Sequence, residues 1–360
     1  MKQSCQPLLS VISGTRSLAE LDLSDWNQLL RQAGGAGLIS RIGLEADACG
    51  LAERLADPVQ RRLIAARTLA DRQRHAVAWE ARKLDQALAP LQIPVVLLKG
   101  AAYALADLPP SRGRLFGDID ILVPKSSLGQ VEAALRLHGW HGTHHSDYDQ
   151  RYYRHWMHEL PPLTHIRRQS HLDVHHNLLP ETARQQTKPD RIIEASRRLE
   201  GYAALRVPCL EDLVLHSATH LFHEGEWGNA LRDLADLDAL MRHGITTNDE
   251  WHELLDRAES LNLMLPVALA LRYCRRLLET PVPEDILTRS ERRLSRLLWP
   301  LRDALFLRGF STAHANCRLR GARLAAFVLY VRAHALRMPM KLLLPHLIHK
   351  ALEGHEHTKT

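Results

Sequence analysis

The stretch from Val95 to Val123 constrains the fold more than any other part of this 360-residue chain. It opens with four consecutive apolar residues, and Lys99-Gly100 then stops the run, which is typical of a buried strand that ends in a tight turn. A short helical segment follows and ends at Pro109-Pro110. The residues Arg114–Val123 alternate in polarity and are rich in β-branched side chains, so they predict a second strand.

The second predicted strand carries two carboxylates on one face. Residues two apart on a strand share a face, so Asp118 and Asp120 point the same way while Ile119 and Ile121 point into the core. Two adjacent carboxylates repel each other unless a positive charge lies between them. Mg²⁺ takes oxygen ligands and bridges protein carboxylates to substrate phosphates. The pattern therefore indicates a Mg²⁺ site, although the exposed face of an edge strand would show the same alternation.

The composition is that of a globular protein with one large or two ordinary domains. Hydrophobic residues make up 45% of the chain. The longest apolar run near its end is too short to span a bilayer, and the first residues lack the apolar stretch of a secretory signal. The five cysteines are scattered without a C-x-x-C pair, which is typical of reduced thiols. We therefore expect a cytoplasmic protein.

Helices are predicted on both sides of the central stretch. Sequence rich in Leu and Ala precedes residue 92 and includes a long helix that begins at Asp57-Pro58. After the two strands, Leu128–Leu137 predicts a helix. A further strand is expected within Tyr152–Leu160. In His171–His175, alternation predicts a strand that places Asp173 on one face together with two histidines.

These elements predict an α/β (α+β) architecture in three parts. They are an N-terminal helical segment at 1–92, a core with a small mixed β-sheet at 93–180, and a large helical C-terminal domain at 181–360. In the last part, one helix is predicted to begin within Pro208–Asp212 and run to Glu224, and a second to span Asn229–His243. Their apolar faces suit an antiparallel pair. A cleft between the sheet and the helices would bind the substrate.

Several of these residues resemble the bacterial uncharacterised nucleotidyltransferase family of the polymerase-β-like nucleotidyltransferase superfamily. The resemblance lies in Lys99-Gly100, in Arg114 four residues before the Asp-Ile-Asp-Ile-Leu-Val strand, and in Leu172-Asp173-Val174-His175. Two later segments, Leu210–His216 and Leu231–Leu237, resemble the helical half of that family.

The resemblance implies a nucleotidyltransferase that moves a nucleoside monophosphate, AMP from ATP, to a hydroxyl of a small molecule or protein. Asp118 and Asp120 would bind two Mg²⁺ ions, and Asp173 would complete the first metal site and accept the proton of the attacking hydroxyl. Four further residues would bind the nucleotide: Lys99, Gly100, Arg114 and Gly117.

Two other functions stay open at this point. The superfamily usually has Gly-Ser or Gly-Gly where this chain has Lys99-Gly100, so the fold could serve instead as a non-catalytic partner-binding module, antitoxin-like or regulatory. Alternatively, His216, His220 and His223 share one face of a predicted helix, and with Asp233 they could form the metal site of a hydrolase.

Two candidate nucleotide-binding residues also have purely structural interpretations. Lys99 could be a strand-end lysine whose ammonium extends into solvent, and Arg114 could be a structural ion-pair partner. Spacing in the sequence does not decide between these roles and binding of phosphate.

Positive charge accumulates towards the end of the chain. Between Arg289 and Lys350 there are thirteen Lys or Arg residues and two acidic ones, which would attract an acidic partner such as nucleic acid. A solvated basic helix face has the same composition, and no nucleic-acid-binding motif accompanies it.

Overall fold

The apolar run Val95–Leu97 forms an inner strand of a seven-stranded mixed sheet in the computed structural model of the chain. The structure describes residues 6–142, 157–225, 227–292, 294–311 and 318–338. The strands are β1 (Val95–Leu97), β2 (Asp118–Leu122), β3 (Trp140–Gly142), β4 (Leu163–His165), β5 (His171–His175), β6 (Arg197–Arg198) and β7 (Leu205–Val207). Their order across the sheet is β3-β4-β5-β2-β1-β7-β6.

The pairing of β2 decides where the predicted carboxylates lie. β2 pairs antiparallel with β1 on one side and parallel with β5 on the other. In the parallel pair Asp120 lies opposite Asp173, so the two side chains share one face of the sheet. Ile119 and Ile121 are buried, as their alternation with the aspartates predicts.

Two predictions about strands were wrong. The second strand begins at Asp118 and not at Arg114, because the preceding backbone has other partners: the Arg114 amide donates to Ser111 O, and the Phe116 amide donates to Gln73 Oε1. The chain after residue 180 is also not entirely helical, since β6 and β7 extend the sheet beyond β1. These strands have two and three residues, which is too few for an alternating pattern to be visible.

A carboxylate from the N-terminal region holds the start of β7. Asp85 accepts hydrogen bonds from the backbone amides of Ala203, Ala204 and Leu205, at 3.0, 2.7 and 3.2 Å. Asp85 and Ala203 are 118 residues apart in the chain. The position of β7 therefore depends on a tertiary contact and not on local sequence.

Helices lie before, between and after the strands. The N-terminal helices are α1 (Gln6–Ile12), α2 (Leu23–Ala36), α3 (Ile39–Ala48) and α4 (Asp57–Leu88). Those between strands are α5 (Lys99–Leu105), α6 (Leu128–Leu137) and α7 (Pro189–Ala195). The later helices are α8 (Leu210–His223), α9 (Ala230–Gly244), α10 (Asn248–Ser260), α11 (Met264–Leu278), α12 (Glu284–Glu291), α13 (Trp299–Gly309) and α14 (Ala322–Arg337). The predicted α/β architecture, with a mixed sheet between helical regions, is confirmed.

One hydrophobic core joins the helices to the sheet. Its members run from Leu8 in α1 to Leu329 in α14 and include every residue of β1. In the C-terminal region α8 packs against α9 and α11, as the apolar faces of the first two helices predict. The boundaries proposed at residues 92 and 180 stay predictions.

Some predictions fall outside the described residues. They concern most of the strand expected within Tyr152–Leu160, two of the cysteines, and the parts of the basic stretch at 293, 312–317 and 339–350. Glu159 is described and forms an isolated antiparallel bridge with His175.

Two further findings bear on the expectations drawn from composition. Cys49, Cys209 and Cys274 have free thiols. None of the helices in the described ranges combines the length and the apolar character that crossing a membrane requires.

Candidate active site

Three carboxylates meet where β2 and β5 run side by side. Asp118 is the first residue of β2, Asp120 follows two positions later, and Asp173 lies opposite Asp120 in β5. Their carboxylate oxygens lie within 4.8 Å of one another. Asp120 is buried, Asp173 is half-buried and Asp118 is exposed, so the group is accessible from one side. The three aspartates that the sequence pattern singled out therefore form one cluster.

The pKa shifts in this cluster show an excess of negative charge. The charge of Asp120, followed by burial, raises the pKa of Asp118. Burial and the charges of Asp120 and Glu159 raise the pKa of Asp173 to about 7. Burial also opposes ionisation of Asp120, but Lys99 and a hydrogen bond with His175 outweigh it and hold the pKa of Asp120 below its usual range. An additional cation would relieve this repulsion, and a donor set of carboxylate oxygens fits Mg²⁺.

Lys99 lies where β1 passes into α5. Its φ angle is 40°, a left-handed conformation that non-glycine residues seldom adopt and that costs on the order of 1–3 kcal/mol. Its ammonium lies 3.8 Å from Asp120 Oδ1 and 3.8 Å from Glu224 Oε1. The side chain is only 15% exposed, so the interpretation as a solvent-directed lysine does not describe it. Lys99 instead bridges the sheet and the residue that follows α8.

Gly100 provides the space that Arg114 occupies. A Cβ atom at position 100 would lie 2.9 Å from Arg114 Nη1 and 3.1 Å from Phe116 Cδ1. Arg114 Nε donates to Asp236 Oδ2 at 2.9 Å, and Nη2 lies 3.8 Å from Asp233 Oδ1. The guanidinium is therefore an ion-pair partner of two aspartates of α9, which agrees with the structural interpretation of this arginine.

Asp236 is the centre of this buried ion cluster. Its side chain is 3% exposed and also contacts Arg41 of α3. Burial opposes ionisation, but Arg41 and Arg114 outweigh it and lower the pKa of Asp236. Arg41 Nη2 in turn donates to Pro110 O at 2.8 Å. The cluster ties α3, α9 and the segment before β2 together.

His175 connects the three aspartates with a fourth acid. Its Nε2 lies 3.2 Å from Asp120 Oδ1, and its Nδ1 lies 3.2 Å from Glu159 Oε2. Burial opposes protonation of the ring, but the hydrogen bond with Asp120 and the charge of Glu159 outweigh it and raise the pKa of His175 to about 9. In the absence of a metal ion the ring is therefore an imidazolium between two carboxylates at neutral pH.

The histidines of α8 do not form the hydrolase site considered from the sequence. Within the described ranges, His216, His220 and His223 do not belong to any group of three ligands within 4.8 Å. His220 pairs with Glu224 instead, and His223 Nε2 lies 2.9 Å from Gln185 Oε1. The hydrolase hypothesis is wrong for these residues.

Sequence reasoning missed two acids of the site, Glu159 and Glu224. Glu224 follows α8 directly and lies four residues after His220, a spacing that lets side chains of a helix pair. This spacing could have identified Glu224 from the sequence as a partner of His220. Glu159 reaches the site only through its bridge with β5, and nothing local in the sequence marks it.

The three aspartates, together with Glu159 and Glu224, line one cavity of about 570 Å³. This volume is within the usual range for small-molecule sites. All seven predicted site residues line it: Lys99, Gly100, Arg114, Gly117, Asp118, Asp120 and Asp173. A Cβ atom at Gly117 would have no neighbour within 4 Å, so the backbone there is open. Tyr330 and His334 of α14 line the cavity from the helical side.

The fold is mixed α/β, and acidic and basic side chains surround one cavity in which three of the acids converge. This arrangement is consistent with an α+β nucleotidyltransferase core. The chain belongs to the family described as Uncharacterised nucleotidyltransferase, whose sequence profile matches residues 22–279. The match runs from α2 to the end of α11. The protein is therefore a transferase with a nucleotide substrate, and the resemblance noted in the sequence is confirmed for the family. No curated protein and no solved structure matches the chain.

Proposed function

We propose that this protein transfers a nucleoside monophosphate, AMP from ATP, to a hydroxyl group of a small molecule or protein. The observation that carries the proposal is the convergence of Asp118, Asp120 and Asp173 within 4.8 Å in a cavity that Lys99 also lines. These three aspartates would hold two Mg²⁺ ions, which when bound stabilise negative charge on the phosphoryl oxygens.

In this reaction the acceptor oxygen forms a bond to the α-phosphorus of the nucleotide. The bond from that phosphorus to the α–β bridging oxygen breaks, and pyrophosphate leaves with the electron pair. A carboxylate oxygen of Asp173 takes the hydroxyl proton. This residue suits the role because its carboxylate lies on the same face of the sheet as Asp120 and within 4.8 Å of the other two aspartates, close to where the reacting groups would meet.

Lys99 suits neutralisation of the leaving phosphates better than Arg114 does. The Lys99 ammonium lies 3.8 Å from each of its two acidic neighbours, distances longer than a direct hydrogen bond. Arg114 Nε, in contrast, donates directly to Asp236 at 2.9 Å. Gly117 offers open backbone to the nucleotide, whereas Gly100 acts by making room for Arg114.

Labelling of an acceptor tests the proposal. Purified protein is incubated with MgATP and a fractionated lysate, with the nucleotide labelled at either the α- or the γ-phosphate. We expect an acceptor to gain label from the α-position alone, and we expect Asp120→Asn to prevent it. Asp71→Asn, at an exposed position of α4, is the matched control and should label normally. Transfer from the γ-position would point to phosphoryl transfer and contradict the proposal.

One observation favours a second candidate, a non-catalytic partner-binding module. The Lys99 ammonium lies beside Asp120, where it supplies positive charge that a metal ion would otherwise supply. Lys99 also stands at the point where the superfamily usually has Gly-Ser or Gly-Gly. Calorimetry with MgATP separates the two functions, because the transferase requires binding that Asp118→Ala abolishes, whereas the module requires none.

A further inference from the structure

A second group of metal-ligand side chains adjoins the three aspartates. His158, Glu159 and His175 bring one ligand atom each within 4.8 Å of one another. The two imidazole rings lie 5.3 Å apart between centroids, tilted by 33°. All three residues line the same cavity as the aspartates.

Backbone hydrogen bonds fix the positions of these three residues. Glu159 forms its bridge with His175, the His176 amide donates to His158 O at 2.8 Å, and the Leu160 amide donates to Val174 O at 2.9 Å. The group is therefore held by the extension of the sheet beside β5, so binding of an ion would need little rearrangement of the backbone.

His158 supplies an observation that the fold alone does not explain. The residue is 6% exposed, and Nδ1 is buried without a hydrogen-bond partner within the described structure. A buried polar atom without a partner costs about 1–3 kcal/mol. Coordination of a metal ion by the ring would account for its burial in this position.

The spacing of the other two ligand atoms fits a small divalent ion. His175 Nδ1 lies 3.2 Å from Glu159 Oε2. Two ligands bound tetrahedrally to Zn²⁺, each at about 2.0–2.2 Å, are separated by roughly 3.3–3.5 Å. The pair is thus nearly at coordinating distance before any ion is added.

His175 also has the second contact that metal-binding histidines usually have. Its other ring nitrogen, Nε2, lies 3.2 Å from Asp120 Oδ1. A ligating histidine commonly donates its remaining N–H to a carboxylate, which fixes the tautomer and the orientation of the ring. In this arrangement Asp120 would support one metal site while serving as a ligand of the other.

We propose that His158, Glu159 and His175 form a binding site for one transition-metal ion of the Zn²⁺ type, separate from the Mg²⁺ site of the three aspartates. The imidazole nitrogens suit Zn²⁺ and Co²⁺ far better than Mg²⁺. The bound ion holds His175 as a neutral ring whose Nε2–H donates to Asp120, so the site sets the orientation of a residue that the transfer reaction uses.

Metal content tests this proposal independently of catalysis. The full-length protein is stripped with a chelator and titrated with Co²⁺ in the presence of excess Mg²⁺. Visible absorption follows the geometry of the bound Co²⁺, and elemental analysis after gel filtration counts Zn²⁺ retained in a parallel sample. We expect one retained equivalent in the wild type and at least about 100-fold weaker binding in His158→Ala, because a direct ligand is lost.

Three variants separate this site from its alternatives. Asp118→Asn, which removes a ligand of the Mg²⁺ site only, should retain the ion. His138→Ala, at an exposed position after α6, should also retain it and controls for binding by surface histidines. Glu159→Gln should weaken binding and replaces His158→Ala if circular dichroism shows that the latter does not fold.

Two results would overturn the site. One is the absence of a retained equivalent in the wild type, which would leave His175 as an imidazolium between Asp120 and Glu159. The other is equal binding by wild type, His158→Ala and Glu159→Gln. Neither result bears on the transferase proposal, since that depends on labelling of an acceptor and on Asp120→Asn.

Discussion

The two walls of the cavity use aspartate in opposite ways. On the sheet side, Asp118 and Asp173 repel Asp120, and their pKa values are raised. On the helical side, Asp236 lies between Arg41 and Arg114, and its pKa is lowered. Both walls are acidic by composition, but among the described residues only the helical wall has an arginine that donates directly to its central carboxylate.

The comparison shows that partners, and not residue type, decide what a buried acid does. The charge of Asp236 is satisfied within the fold, so this residue links α9 to α3 and to the segment before β2 through ion pairs. Asp118 and Asp173 carry charge that the fold does not balance, which is the condition for binding a cation from solution. Each prediction below tests one side of this contrast.

The largest effect is expected from Asp118→Asn on the sheet side. Loss of a metal ligand should lower kcat for labelling of the acceptor by about 10³-fold, which corresponds to about 4 kcal/mol. The free energy of unfolding of the metal-free variant should equal or exceed that of the wild type, because a repelling charge is removed. A loss of rate below tenfold would show that Asp118 is not a ligand.

Asp236→Asn should have the opposite profile. Arg41 and Arg114 would lose the carboxylate that both contact, while Arg114 would keep its longer contact with Asp233 at 3.8 Å. We expect the free energy of unfolding to fall by about 3 kcal/mol. Urea denaturation measures it, with exposed Asp71→Asn as the control, for which a change below about 0.5 kcal/mol is expected. Unchanged stability in Asp236→Asn would remove the structural role assigned to the helical wall.

The stability of the protein at acidic pH tests a buried histidine of α8, His223. Burial, with the charges of Arg332 and Arg337, lowers the pKa of His223 to about 3, so the unfolded chain takes up a proton near pH 6.5 that the folded chain does not. Stability is therefore lost as the pH falls from about 6.5 towards 3. We expect His223→Gln to lose about 2 kcal/mol less than the wild type between pH 7 and pH 4.5 in urea unfolding. An equal loss of unfolding free energy between pH 7 and pH 4.5 in the wild type and in His223→Gln would contradict this prediction.

The smallest effect is the response of stability to Mg²⁺. At a Mg²⁺ concentration about ten times Kd, binding to the native state should raise the free energy of unfolding by about 1.4 kcal/mol. Asp118→Asn should abolish the increase. Asp236→Asn should show the same increase, although its free energy of unfolding without Mg²⁺ is lower than that of the wild type. An increase that survives Asp118→Asn would place the cation elsewhere.

The site was predictable from sequence to the extent that it follows local alternation. Period-two patterns put Asp118 and Asp120 on one face, and a similar pattern marked Asp173 in a second strand. Because β2 and β5 are neighbours in parallel register, those local patterns were enough to bring the three acids together.

Features that depend on contacts distant in sequence escaped prediction. The pairing of β7 rests on Asp85, 118 residues before Ala203, and Glu159 reaches the site through an isolated bridge. The role of Arg114 was ambiguous for the same reason, since its partner Asp236 lies 122 residues away. Hydrophobic periodicity reports which face of an element is buried, but not which charged groups meet there.

The close contact between Gly100 and Arg114 limits which residues these two positions can hold at the same time. A Cβ atom at position 100 would lie 2.9 Å from Arg114 Nη1. A larger residue at position 100 therefore requires a shorter or differently placed side chain at position 114. The two positions are therefore expected to change together among relatives. Gly100→Ala should be deleterious alone and be compensated in part by Arg114→Lys, whose narrower ammonium keeps the charge that the aspartates of α9 require.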